Sequence, residues 1–350
     1  MPWLDNSWYQ AAWSEELEVG RPFSRMLLGK PIVLYRRENG EVAALYDRCP
    51  HRFVPLSAGT ICGDAVRCAY HGLAFGPNGH CVTNPHGGIT SSIKVRSFPV
   101  VERHSGIWVW MGVPEDADPA KIPDLSYIDL VPETARFRMY IPTRANYQLL
   151  IDNIMDLSHA DYLHPTSLGG MMTESTMRNR TEGDAIVVEW TADECIPAPA
   201  FAPLVPLDGR VDVWVQVKWQ PPGVMVLLFS AVPAGVARNP NVQALHNMVP
   251  ETENSTHYFM YTTRSFELEN QGVTAAIRAS AEQAFCHEDK PILEKQQERM
   301  GTADFWSLKP VLLNVDAAAV KVRRKLELLI AAERGREPSL SAGSLQEAAS

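Results

Sequence analysis

Cys49-Pro-His51 and Cys68-Ala-Tyr70-His71 each put one thiol and one imidazole on a short segment of chain. Together they make a four-ligand metal set, and the order of the ligands discriminates between metals. A structural zinc site usually takes both thiolates from one knuckle and both imidazoles from the other. Here each segment supplies one of each. That suits a [2Fe–2S] cluster with one iron on Cys49 and Cys68 and the other on His51 and His71. Neutral imidazoles in place of two thiolates remove negative charge and raise the reduction potential, so the cluster can accept electrons from an ordinary ferredoxin-type donor. A zinc site with unusual ligand order is the competing reading.

An electron-transfer cluster needs an acceptor, and Asp152-Asn-Ile-Met-Asp156-Leu-Ser-His159-Ala-Asp-Tyr-Leu-His164-Pro165 offers one. In an ideal helix, five steps of about 100° leave His159 and His164 roughly 140° apart, too far to share an ion. Pro165 pushes the residue before it out of the α region, so His164 can swing back towards His159. Asp156, three residues before His159, lies on the same face. On its own such a pair reads as helix-end histidines in ordinary packing; beside the cluster motif it reads as a metal site. Two histidines and one carboxylate form the facial triad of non-haem Fe(II) oxygenases, which leaves positions open for O2 and substrate. Cys286-His287-Glu288-Asp289-Lys290-Pro291 offers the third ligand. Chemistry alone leaves Glu288 and Asp289 nearly equal, with His287 competing, and Pro291 loosens the helix there.

These groups need rigid supports. Pro31–Tyr35 with Glu41–Tyr46, Cys68–Phe75 with His80–Thr83, and Val100–Glu102 with Ile107–Trp110 read as hairpins about Gly-containing turns. They suggest a small antiparallel sandwich or barrel, with both cluster motifs beside its turns. Pro114, Pro119 and Pro123 in a polar stretch mark a boundary. The expected organisation is α+β: an all-β domain over 1–118, a catalytic domain over 119–336 with an antiparallel sheet flanked by helices, and a disordered tail at 337–350. In the second domain a helical segment spans Tyr147–Leu163. Strands follow at Ala185–Trp190, Val211–Trp219, Val224–Ser230 and His257–Arg264. Helices cover about Val273–Met300, interrupted at Pro291, and Ala317–Glu333.

The 350 residues suit two packed domains, and 45% hydrophobic with 21% charged residues supports a sizeable core. A net charge of −9 without any basic run argues against nucleic acid. No apolar stretch reaches spanning length, so no membrane is expected. No signal-peptide pattern is visible, and the cysteines lack disulfide-framework spacing. Both point to a cytoplasmic protein with reduced thiols.

With both metal motifs in hand, the chain resembles the oxygenase component of Rieske non-haem iron oxygenases. It is most similar to the vanillate O-demethylases and related aromatic O-demethylating monooxygenases. The likeness runs from Asn6-Ser-Trp8 through the two cluster motifs, Phe98–Arg103, Ile107–Trp110 and Ile151–His159 to Pro250–Glu253, Glu288–Lys290 and Asn314–Ala317. It implies a mononuclear iron on His159, His164 and Asp289. It also implies that Asp156 bridges a cluster histidine of a neighbouring subunit to the iron site within a head-to-tail homotrimer. His246 and the residues near Met225–Phe229 would fall on the substrate-pocket wall. The implied activity is O-demethylation of a vanillate-like methoxylated aromatic acid to a phenol and formaldehyde. O2 is the cosubstrate, and NADH electrons arrive through a reductase carrying flavin and a ferredoxin-type iron–sulfur centre. The alternatives are hydroxylation of a ring, an aryl methyl or an N-methyl group by the same machinery, or a non-catalytic Rieske electron carrier.

Overall fold

The computed structural model describes residues 3–335, so the expected tail at 337–350 lies outside the described residues. Ten short strands make the N-terminal part: β1 (Trp8–Trp13), β2 (Phe23–Leu27), β3 (Lys30–Arg36), β4 (Val42–Tyr46), β5 (Thr60–Cys62), β6 (Ala65–Arg67), β7 (Ala74–Phe75), β8 (Cys81–Thr83), β9 (Val100–Arg103) and β10 (Gly106–Trp110). They form three antiparallel sheets, ordered β1-β10-β9, β2-β3-β4 and β5-β6-β7-β8. The three expected hairpins are present as β3–β4, β7–β8 and β9–β10. Within the run Cys68–Phe75, however, only Ala74–Phe75 is strand; the rest is loop. β1 was not legible in sequence, because all six of its residues are buried and no period of two survives.

A run of single 3-10 turns follows, at Pro114–Asp116, Pro119–Lys121, Ser126–Ile128 and Glu133–Ala135. Ile122, Leu125 and Ile128 are buried, so this proline-rich connection is packed down against the core. The C-terminal part is one seven-stranded antiparallel sheet. Its strands are β11 (Arg136–Thr143), β12 (Thr176–Glu182), β13 (Ala185–Cys195), β14 (Val211–Gln220), β15 (Val224–Pro233), β16 (Val242–Thr252) and β17 (Ser255–Arg264), in the order β11-β17-β16-β15-β14-β13-β12. In β14 every second residue from Val211 to Trp219 is buried, the pattern that betrays the strand in sequence.

The helices are α1 (Tyr147–Met155), α2 (Ala160–Leu163), α3 (Gln271–Ala281), α4 (Lys290–Met300) and α5 (Ala317–Glu333). The stretch expected to break at Pro291 runs straight through it. The irregularity lies upstream, where Glu282–Asp289 widens into a π-helix between α3 and α4. Pro291 offers no N–H and its ring crowds the carbonyl of His287, so the ladder loosens before the proline rather than at it. No described helix is long and apolar enough to cross a membrane.

One large core spans both parts of the chain, joining Trp8, Trp13 and Trp108 to Phe259, Tyr261 and the rest of the large sheet. A smaller core around Val33, Leu45, Val66 and Phe75 sits under the two cluster loops. The junction is also polar: Asn247 of β16 donates to Gln10 of β1 at 3.1 Å, with both side chains buried. The Leu28 and Gly29 amides donate to the Pro250 and Glu251 carbonyls at 3.0 and 2.8 Å. Deleting one partner of such a buried pair costs roughly 1–3 kcal/mol.

Candidate metal centres

The two cluster loops share one backbone design. The Cys49 amide donates to the Val54 carbonyl at 2.9 Å, and the Phe53 amide to the Cys49 carbonyl at 3.0 Å. In the second loop the Cys68 amide donates to Leu73 at 2.8 Å, and Gly72 to Cys68 at 3.1 Å. The residue four beyond each cysteine is left-handed: Phe53 at φ 63° and Gly72 at φ 73°. Glycine does this without strain, and a Cβ there would also press on Pro85 at 3.1 Å. Each turn aims its cysteine inward and its histidine outward. Cys49 and Cys68 are buried, whereas His51 is exposed and His71 partly so. The two imidazoles lie 4.5 Å apart, centroid to centroid, and the two thiols interact directly. Burial pushes the Cys49 thiol up, and the nearby Cys68 adds to it, a penalty that a metal removes by taking the thiolate.

Buried Asp47 anchors the first loop by accepting from the Ser57 amide at 2.7 Å and hydroxyl at 2.6 Å. Neither Asp47 nor His86, whose Nε2 lies 3.0 Å from the His71 carbonyl, stood out in the sequence, since neither belongs to a spaced motif. Phe53 and Tyr70 are 67% and 63% exposed, so the histidine edge carries a bare aromatic tip.

The second site is built on a broken helix. Asn146 caps α1 by accepting from the Gln148 amide at 3.0 Å, and Arg323 of α5 braces it through Asp152 and Gln148. Asp156 is extended, at φ −127° and ψ 100°, and ends α1. Its carboxylate then caps the next turn, accepting from the Ser158 amide at 2.9 Å. The helix expected over 147–163 is therefore two helices separated by a 3-10 turn. His159 belongs to that turn, and His164 ends α2 at φ −116° and ψ 40°, outside the α region that Pro165 disfavours. Behind it the Gly169 amide donates to the His164 carbonyl at 2.9 Å, and a Cβ on Gly169 would lie 2.5 Å from the Ala160 carbonyl.

This backbone brings His159, His164 and Asp289 together, with one ligand atom from each within 4.8 Å of the others. Asp289 ends the π-helix and is buried. Its Oδ1 lies 3.4 Å from His159 Nε2 and 3.3 Å from His164 Nε2. The outer nitrogens are committed elsewhere: His159 Nδ1 donates to the Asp156 carbonyl and His164 Nδ1 to Glu288 Oε2, both at 2.6 Å. Both Nε2 lone pairs therefore face a carboxylate. Burial opposes ionisation of Asp289, but the two histidines bring its carboxyl down to about 2. Burial also disfavours a charged His164, yet Asp289 and Glu288 hold its pKa above the ordinary value. Asp289 Oδ2 is buried without a partner among the described residues. Converging lone pairs, an ionised carboxylate and an orphaned oxygen fit a divalent cation.

Of the three candidates at 287–289, His287 is exposed and stands outside this group. Glu288 serves the back of His164 and also accepts from Ser167 at 3.1 Å. Asn153, unmarked in sequence, donates to Asp289 Oδ1 at 3.0 Å and lies 3.2 Å from His159 Nε2. The Asp156 carboxylate does not receive His159, as the bridging expectation has it; the main-chain carbonyl does.

The triad opens into a cavity of about 170 Å³. Leu227 and Phe229 line it, whereas Met225, expected there too, is buried in the core. His246 lies within β16 and also lines the cavity, where it was expected. Its Nδ1 is 2.5 Å from the hydroxyl of buried Tyr258. That hydroxyl has no other acceptor among the described residues, so it donates to Nδ1 and leaves Nε2–H facing the cavity. Burial lowers the His246 pKa to about 3, so the ring is neutral.

Residues 7–99 match the Rieske [2Fe-2S] domain, and residues 143–332 match the vanillate O-demethylase oxygenase C-terminal domain. A chloroacetanilide N-alkylformylase oxygenase component of Rhizorhabdus wittichii is 40% identical over 97% of this chain and 99% of its own. A dicamba O-demethylase oxygenase component of Stenotrophomonas maltophilia is 36% identical over 94% and 98%. The crystal structure of dicamba monooxygenase bound to dicamba superposes with a TM-score of 0.88 at 35% identity, covering 95% of this chain and 99% of that one. The chain thus belongs to the vanillate O-demethylase family of Rieske non-haem iron monooxygenases, as an oxygenase component.

Proposed function

We propose that this oxygenase removes an alkyl group from the heteroatom of an aromatic substrate, in the first instance the methyl of a methoxyarene. The observation that carries the proposal is the apolar cavity ending on His159, His164 and Asp289. It suits a ring presented edge-on with one alkyl carbon at the metal. Iron held there supplies O2 activation. The balance is ArOCH3 + O2 + 2 e⁻ + 2 H⁺ → ArOCH2OH + H2O, and the hemiacetal then splits to ArOH and formaldehyde. In this reading Cys49, His51, Cys68 and His71 hold the cluster. The electrons come from NADH through a separate reductase with flavin and a ferredoxin-type centre. The chain works as a cytoplasmic homotrimer, in which Asp156 of one subunit meets His71 of the next and the bare aromatic tip at Phe53 and Tyr70 lies in that contact. The all-β domain ends near residue 118.

N-dealkylation is the second reading, favoured by the N-alkylformylase relative. A screen of methoxyarenes and N-alkoxymethyl anilides with a surrogate reductase tests both by formaldehyde or N-dealkylated product. Reductase-dependent O2 uptake that yields only ring-hydroxylated product would sink the proposal.

A further inference from the structure

Resting on the dealkylating reading of this site, we infer that the substrate carries no charge: an apolar aryl ether or anilide with one hydrogen-bond acceptor, not a carboxylate or sulfonate. The cavity floor is one face of the large sheet, and the pairing fixes its composition. Leu227 lies opposite Ala244, and Phe229 opposite both Val242 and Val215. Ala244 pairs with Thr262, which faces Phe137 on the edge strand. His246 is flanked by Met225 and Met260. The other walls include Leu157, Leu168, Phe201 and Phe285.

Among the described residues no lysine or arginine lines this space, and the one carboxylate that does is Asp289, at the metal end. A substrate offering its alkyl carbon to the triad points its opposite pole at hydrocarbon. Arg264, two residues beyond Thr262 on the same face of β17, is buried and committed. Its guanidinium donates to the carbonyls of Phe266, Glu267, Thr134 and Asn270 and to the Thr274 hydroxyl. Apart from the triad and Asn153, which is committed to Asp289, the polar groups lining the cavity are the Thr262 hydroxyl, which has no partner among the described residues, the Ser280 hydroxyl on α3, and the Nε2–H that Tyr258 fixes on His246. One neutral N–H and two hydroxyls suffice for a single carbonyl and carry no positive charge. They do not replace the hydration of an anion, whose remaining lone pairs would face Leu227 and Phe229.

The test is equilibrium binding to the reconstituted holoenzyme without reductant, using matched pairs of near-equal shape such as 4-methoxyacetophenone and 4-methoxybenzoate. The neutral member should bind on the order of ten- to a hundredfold tighter, the range expected for leaving buried polar atoms unpaired. Leu227→Arg, which places a cation on the floor, should narrow or reverse the ratio. Equal or tighter binding of the anion to the wild-type protein would overturn the inference, and so would failure of every neutral member to bind. Neither arm depends on turnover. If the dealkylating reading fails instead, the neutral member still binds more tightly but releases no formaldehyde once electrons are supplied.

Discussion

Glu288 and Asp289, neighbours in the chain, grip opposite nitrogens of one imidazole: Glu288 Oε2 takes the Nδ1–H of His164 at 2.6 Å, and Asp289 Oδ1 lies 3.3 Å from its Nε2. Adjacent residues reach two sides of one ring because the π-helix ends between them and α4. Asp289→Ala should therefore abolish turnover and empty the mononuclear site while the cluster spectrum survives. Glu288→Gln should keep the iron but weaken its affinity about 10- to 100-fold, the usual cost of disturbing a residue that orients a metal ligand. Iron counts on dialysed protein check this. Loss of iron in Glu288→Gln but not in Asp289→Ala would reverse the two roles.

The paired loops lead to a test at the cluster. His71→Cys keeps the turn, whose left-handed position is Gly72, and adds a thiolate. The visible spectrum should move towards that of an all-cysteine ferredoxin and the midpoint potential should fall. Colourless wild-type protein containing zinc would refute the cluster itself.

Asp156 separates into two functions. Its main-chain carbonyl holds His159, which Asp156→Asn leaves intact, and an asparagine oxygen can still cap Ser158. The variant should assemble, bind both metals and reduce its cluster, yet pass electrons to the iron far more slowly, because in the proposed homotrimer the charge-assisted bond from Asp156 to His71 of the next subunit would become a neutral one about half as strong. Stopped-flow reoxidation of the cluster measures this. Hybrid trimers of Cys68→Ser and His159→Ala chains should regain part of the activity; co-assembled hybrids that stay dead would place the transfer within one subunit.

Asp161 supports the loop beside the cavity. Its carboxylate accepts from the Gly170, Met171, Met172 and Thr173 amides and the Thr173 hydroxyl. Burial opposes ionisation, but these donors outweigh it and bring the pKa down to about 2. A depressed folded-state pKa gives stability that is present above the unfolded value, about 4, and is lost as pH falls towards 2. Asp161→Asn should melt a few degrees below wild type at pH 7, and the gap should close between pH 4 and 2. A gap that widens on acidification would contradict this.

What sequence could reveal followed what leaves a periodic or spaced trace. The ligand motifs were legible because metal chemistry restricts both residue type and spacing, and β14 because one face is wet. β16 was not, since it is buried on both faces and carries His246 and Asn247 inside, satisfied by Tyr258 and Gln10 far away in sequence. β12 was missed for the opposite reason: it is an edge strand of largely exposed polar residues. The choice between Glu288 and Asp289 turned on a π-helical register that no local pattern announces.

The Asn247–Gln10 bond and the continuous core beneath it have a kinetic consequence. The part of the chain that receives electrons is not a head on a tether; it is bolted to the part that spends them. No swing within a subunit can shuttle charge between a docking pose and a delivery pose, so in the proposed homotrimer the tunnelling distance is set when the subunits assemble. Delivery to the iron should then be indifferent to solvent viscosity, leaving collision with the reductase as the step that thickened solvent slows.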